Sequence, residues 1–110
     1  MKIFPFLQHL TCLLLATLTI AIFWNNLATT LILIIILAGL INFKAQKIDV
    51  LFYLIIAILA TVLESIAMST GAWTYATISI FNFPIWLPLY WGMSGIVIKD
   101  LYFLFKKKYF

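Results

Sequence analysis

Three acids, one histidine, one cysteine and seven lysines make up the ionisable inventory, tyrosines aside, of a 110-residue chain without arginine. Of these, Glu64 is the residue that asks for chemistry, because it stands inside an otherwise apolar run, Val50 to Thr70. A charge near mid-helix costs roughly 2.5–3.5 kcal/mol on membrane-insertion scales, so such a carboxyl faces protein or water. It could carry a proton, act as a general acid, or hold a helix pair together by hydrogen bonds. Helical rise puts Glu64 about 9 Å inside the end of its segment, with Trp91 at matching depth, about 10 Å inside Pro84. Thr17, Thr61 and Ser65 are further candidate partners. Lys99 lies about 22 Å below Pro84 on the same arithmetic, too far for a direct pair, and its long stem predicts snorkelling to the inner surface. Asp49 and Asp100 belong to the opposite end, so no second acid stands beside Glu64.

The remaining reactive groups form no familiar constellation. His9, beside Gln8 and Thr11, has no second His, Cys or Asp at metal-ligand spacing and reads as a structural or interfacial residue. Cys12 permits no intrachain disulfide and reads as a small packing residue. The sequence contains no Ser/His/Asp set and no phosphate-cradling glycine loop, so it predicts neither cofactor nor metal.

These side chains must be positioned by apolar segments. With 66% hydrophobic and 9% charged residues, the chain has too little polar surface to cover a water-soluble core. Runs of about 20 apolar residues match a bilayer core of about 30 Å. The reading is all-α: a single-domain integral membrane four-helix bundle over residues 1–110, with spans at about 4–24, 27–43, 50–70 and 84–105. The Leu/Ile runs do not alternate as barrel strands would. Asn25-Asn26 reads as a tight turn, asparagine tolerating the left-handed conformation that ends helices. Four spans put all seven lysines on one side, so the positive-inside rule places both termini in the cytoplasm. The aromatic connection 71–83 then faces the extracytoplasmic side. The net charge of +4 is carried by lysines at segment ends, where topology and anionic headgroups explain it better than nucleic acid does.

Trp and Tyr gather in the last third of the chain, and three of the four tryptophans fall between Glu64 and Gly95. Interface anchoring accounts for such residues in general. Here Gly71-Ala72-Trp73-Thr74-Tyr75 and Pro84-Ile85-Trp86-Leu87-Pro88 are more ordered than a belt requires. Gly71 suits a left-handed helix cap, and Pro88 suits a first helical turn. Ala57, Ala60, Ala67 and Gly71 share the face of Glu64, while Gly92 and Gly95 share a face of the last span. The small residues predict direct packing of spans three and four, glycines against alanines. A pocket of Glu64, Trp73, Tyr75, Trp86 and Trp91 would then lie beneath the aromatic loop.

Over about residues 60–99 the pattern Glu64, Gly71-Ala72-Trp73-Thr74-Tyr75, Ile85-Trp86-Leu87-Pro88-Leu89-Tyr90-Trp91-Gly92 and Gly95 resembles a group of small prokaryotic four-span membrane proteins. The resemblance implies the cytoplasmic membrane of a prokaryote. A fainter similarity, an acid followed by Gly-x-Trp-x-Tyr and a Pro/Trp helix start, links the stretch to membrane-embedded carotenoid cyclases. Those enzymes add a Pro-Glu-Glu type motif, whereas Pro84-Ile85-Trp86 has no acid.

The functional expectation is a non-enzymatic binding or accessory protein whose partners are membrane lipid, an apolar or isoprenoid lipid, or another membrane protein. The alternatives are a small proton-coupled transporter using Glu64 and an isoprenoid-lipid enzyme.

Overall fold

The computed structural model describes residues 3–43, 45–76 and 78–109; Lys2, Lys44 and Thr77 lie outside them. Four helices account for most of the described chain: α1 (Ile3–Phe23), α2 (Leu27–Asn42), α3 (Lys47–Met68) and α4 (Leu87–Tyr109). They fill a volume of 41 × 28 × 21 Å. α4 is central and touches each of the other three, most extensively α3; α1 also packs on α2. Two helices, Ile3–Phe23 and Lys47–Met68, are long and apolar enough to cross a membrane, with mean hydropathies of 1.9 and 2.4. α2 is equally apolar but has 16 residues, about 24 Å of rise.

Several threonines within these helices are satisfied locally. Thr11, Thr17 and Thr19 donate to the carbonyls of Leu7, Leu13 and Leu15, one turn back. This bonding lets a hydroxyl sit in an apolar helix without an orphan donor. Helix ends follow the same logic. Asn26 is not left-handed: at φ −123° it is the extended N-cap of α2, and its side chain accepts the Thr29 N–H. Thr30 reaches back from α2 to the Phe23 carbonyl, 2.5 Å away, and closes the end of α1. α3 begins at Lys47, three residues before the expected boundary, because Asp49 caps it by accepting the Gln46 N–H at 3.1 Å. Gly71 bonds back to Met68 at φ +88° and stops the chain from continuing as helix. α4 starts at Leu87, with Pro88 in the first turn where its missing donor costs no bond.

The core runs along α4, where Leu87, Met93 and Ile96 meet Ala16, Ile34, Ala38, Ile41 and Tyr53 from the other helices. α3 and α4 approach closely at two glycines. A Cβ on Gly95 would lie 2.6 Å from the Phe52 carbonyl oxygen and 2.8 Å from Ile56 Cβ; one on Gly92 would lie 2.5 Å from the Tyr53 ring. The nearest neighbours of the glycines are therefore Phe52, Tyr53 and Ile56. Ala57 is buried and Ala60 and Ala67 are half-buried, while Gly71 is exposed with open space around it. Gly71 is a helix cap and takes no part in helix packing.

Polarity is arranged inside out. Leu54, Ile58, Leu63 and Ile66 of α3 and Leu14, Leu18 and Ile22 of α1 stand exposed, while Asp49, Lys99 and Asp100 are buried. A water-soluble bundle places these groups the other way round.

Candidate functional site

Polar side chains converge at two places, near the two ends of the bundle. The first is the Glu64 carboxyl on α3, at the level of the connection 69–86. Trp91, one turn into α4, donates its indole N–H to Oε2 at 2.7 Å. The Tyr75 hydroxyl, from the connection, donates to Oε1. One carboxyl thus ties together α3, α4 and the loop. Burial, followed by the hydrogen bond to Glu64 and neighbouring charge, raises the Tyr75 pKa and keeps its phenol protonated.

Packing holds the clamp in shape. The Tyr75 ring stands edge-on to Trp86 at 6.0 Å and 87°, a favourable aromatic geometry. The Ser65 hydroxyl donates to Asn82 Oδ1 at 2.6 Å, and the Asn82 amide donates back to the Ser65 carbonyl at 3.0 Å. This pair pins a tight turn, Ile80 to Phe83, in which Phe81 takes φ +49° and projects outward, 91% exposed. Tyr90 bonds Thr17 of α1 at 2.8 Å, and the Tyr53 hydroxyl donates to the Leu89 carbonyl at 2.9 Å. Of the four residues expected around the carboxyl, Tyr75 and Trp91 touch it and Trp86 supports Tyr75. Trp73 stays about half exposed on the loop, outside this set. Among the other expected partners, Thr17 bonds Tyr90, Ser65 bonds Asn82, and the buried Thr61 hydroxyl meets neither carboxyl oxygen.

The second place lies about 22 Å away along α3, fifteen residues below Glu64. Lys99 does not snorkel. It is 5% exposed and its ammonium donates to Asp49 Oδ1 and stands 2.9 Å from Asp100 Oδ1. Asp100 is fully buried, and its Oδ2 meets His9 Nδ1 at 2.6 Å. His9 is therefore not a solitary interfacial residue but the α1 end of a chain His9–Asp100–Lys99–Asp49 that joins three helices. Sequence reasoning placed Asp49, Asp100, Lys99 and His9 at one end. It missed their convergence because they are 91 and 50 residues apart in the chain. The signal that was available is the adjacent Lys99-Asp100 pair inside an apolar helix.

Beside this cluster lies a cleft of about 900 Å³, bounded by α1, the end of α2, the connection to α3, and α4. Pro5, Cys12, Leu40 and Ile41 are among its apolar lining residues; Gln8, His9, Gln46, Asp49 and Lys99 are its polar ones. An imidazole fixed by a carboxylate is suited to accepting a hydrogen bond or a proton at its other nitrogen. Among the described residues, no group of three or more His, Cys, Asp or Glu side chains could hold a metal ion. No family model, curated protein or solved structure matches this chain.

Proposed function

We propose that this chain is an integral protein of a prokaryotic cytoplasmic membrane that binds an amphiphilic lipid and acts as a non-enzymatic accessory protein. The cleft beside Lys99 carries this reading: about 900 Å³ lined by both apolar and polar, charge-bearing residues suits a molecule with a headgroup and a hydrocarbon chain. The outward apolar faces of α1 and α3 support residence in a bilayer. The lysines, gathered at one end of the four segments, support cytoplasmic termini and an extracytoplasmic aromatic loop. Glu64 favours neither alternative, since each of its oxygens already has an internal donor, as a structural clamp would have.

Native mass spectrometry of protein extracted in a mild neutral detergent tests the lipid reading. The wild type retains a lipid adduct. Cys12→Phe, which fills the cleft from its α1 wall, retains about tenfold less at unchanged helicity, as loss of about 1.4 kcal/mol of binding requires. Equal lipid retention by both proteins refutes the reading. Orientation is read in a Cys12→Ser background: cysteines at Asn26 and Ser79 react with an impermeant thiol reagent in intact cells, and Lys106→Cys does not. Reaction at position 106 from outside reverses the topology.

A further inference from the structure

The connection between α3 and α4 is uncharged, since no charged residue occurs between Glu64 and Lys99. Its turn, Ile80 to Phe83, is fastened beside α3 and not above it. Asn82 bonds both the hydroxyl and the carbonyl of Ser65. Ser65 lies three residues before the end of α3 at Met68, about 4.5 Å inside it. The Ser65 carbonyl already accepts the Ser69 N–H along the helix axis, so the Asn82 amide reaches it from the side. Leu63 and Ile66, on either side of Ser65 in the chain, stand exposed at this level. The turn also closes its own backbone. Ser79 and Ile80 each donate to the Phe83 carbonyl at 3.0 Å, and Phe83 donates back to Ile80 at 2.9 Å. Backbone entering an apolar medium must satisfy its polar groups internally in this way. At the tip stands Phe81, 91% exposed and at φ +49°. Glycine holds that conformation without steric cost, and phenylalanine does not. What the ring adds is apolar area, which is favourable only where apolar surroundings receive it.

We infer that the turn Ile80 to Phe83 is a lipid-facing finger whose Phe81 ring is seated in the outer leaflet, at the boundary of headgroups and acyl chains. The inference rests on reading the chain as membrane-spanning with this connection on the extracytoplasmic side. It adds that the connection folds back into the bilayer surface beside α3. The exposed Ile78 and Ile80 widen the apolar patch around the ring, and the exposed Leu63 and Ile66 continue it down α3. With no charge in the connection, insertion is by apolar area alone and is the same for anionic and zwitterionic lipids. Ser79 lies on the far side of the Ile80–Phe83 bridge from the tip and stays at the aqueous rim. Asn82 is the latch that keeps the finger at this depth.

Nitroxide labels on the full chain in choline-lipid vesicles test this, placed one at a time in a Cys12→Ser background at Phe81→Cys, Leu63→Cys and Asn26→Cys. Each label's collisions with oxygen, which concentrates in hydrocarbon, are compared with those with a neutral water-soluble nickel chelate. The ratio of oxygen to chelate collisions at 81 exceeds that at 26 about tenfold, as exclusion of a polar solute from apolar surroundings requires. It approaches the ratio at 63, and replacing a third of the lipid by its anionic glycerol analogue leaves it unchanged. Asn82→Ala releases the latch and lowers the ratio at 81 towards that at 26. Where that variant fails to fold, the unlabelled wild type gives the second reading: a choline lipid with a diazirine beside its glycerol crosslinks to the peptide containing Phe81. A low ratio at 81 beside a high one at 63, or no such crosslink, overturns the finger and leaves the membrane reading standing. Low ratios at 81 and 63 alike overturn both. A label at 81 shielded from both reagents marks a protein contact and also overturns the finger.

Discussion

Replacing Trp91 by phenylalanine removes one hydrogen-bond donor from Glu64 and little else at that depth. The bond is 2.7 Å long and made to a half-buried carboxyl. A hydrogen bond to a charged group contributes about 1.5–3 kcal/mol, and stranding a buried acceptor costs about 1–3 kcal/mol. With a smaller packing loss from the narrower ring, Trp91→Phe should destabilise the protein by about 2 kcal/mol. In a Glu64→Leu background the bond is already gone, so only the packing loss remains, giving a coupling of about 1–2 kcal/mol. Tyr75→Phe gives a cleaner second cycle, because it deletes a hydroxyl and keeps the ring on Trp86. Glu64→Gln separates the two donors. A carboxamide has one oxygen, which must serve the Trp91 indole, since an indole can only donate; the Tyr75 hydroxyl can turn and accept from the amide NH2. Glu64→Gln should therefore cost less than Glu64→Leu. Unfolding is followed by circular dichroism in detergent against added denaturant, since tryptophan fluorescence itself changes in Trp91→Phe. Additivity of Trp91→Phe and Glu64→Leu within about 0.5 kcal/mol would refute the clamp.

The glycines separate steric from conformational cost. Gly95→Ala drives a Cβ onto the Phe52 backbone and Ile56, and separates α3 from α4 at a loss of several kcal/mol, seen as a lowered unfolding midpoint. Gly71→Ala meets open space but holds a side chain at φ +88°, so its cost stays at about 1–2 kcal/mol. At the cluster of Asp49, Lys99 and Asp100, Lys99→Met leaves two carboxylates buried without their cation and should cost about 3–5 kcal/mol in the same assay. Adding Asp49→Asn and Asp100→Asn to Lys99→Met should recover much of that loss, because no buried charge is left unpaired. A triple variant no more stable than Lys99→Met would exclude charge pairing as the role of the cluster.

Composition alone determined the helical class, since runs of Leu and Ile without alternation can bury their backbone polar groups only as helices in an apolar surrounding. Local signals set the ends. Asn26, Gly71 and Pro88 act within a turn of their own positions, so their capping roles were accessible before any tertiary structure, although Asn26 proved an extended N-cap. Depth arithmetic also matched Trp91 to Glu64, because helical rise depends on residue count alone. Rotation about the helix axis does not. Which face of α3 meets Gly92 and Gly95 depends on how bulky and small residues interlock, and in the structure Phe52, Tyr53 and Ile56 come nearest to them. Trp73 and Tyr75 are two residues apart on an irregular connection, where no periodicity says which one turns inward. The burial of Lys99 was hidden for a related reason. A lone lysine near a helix end reaches water at little cost, and it stays inside only because folding brings Asp49 to its ammonium, with Asp100 beside it. That arrangement joins residues far apart in the chain, so only the packing of α1, α3 and α4 decides it.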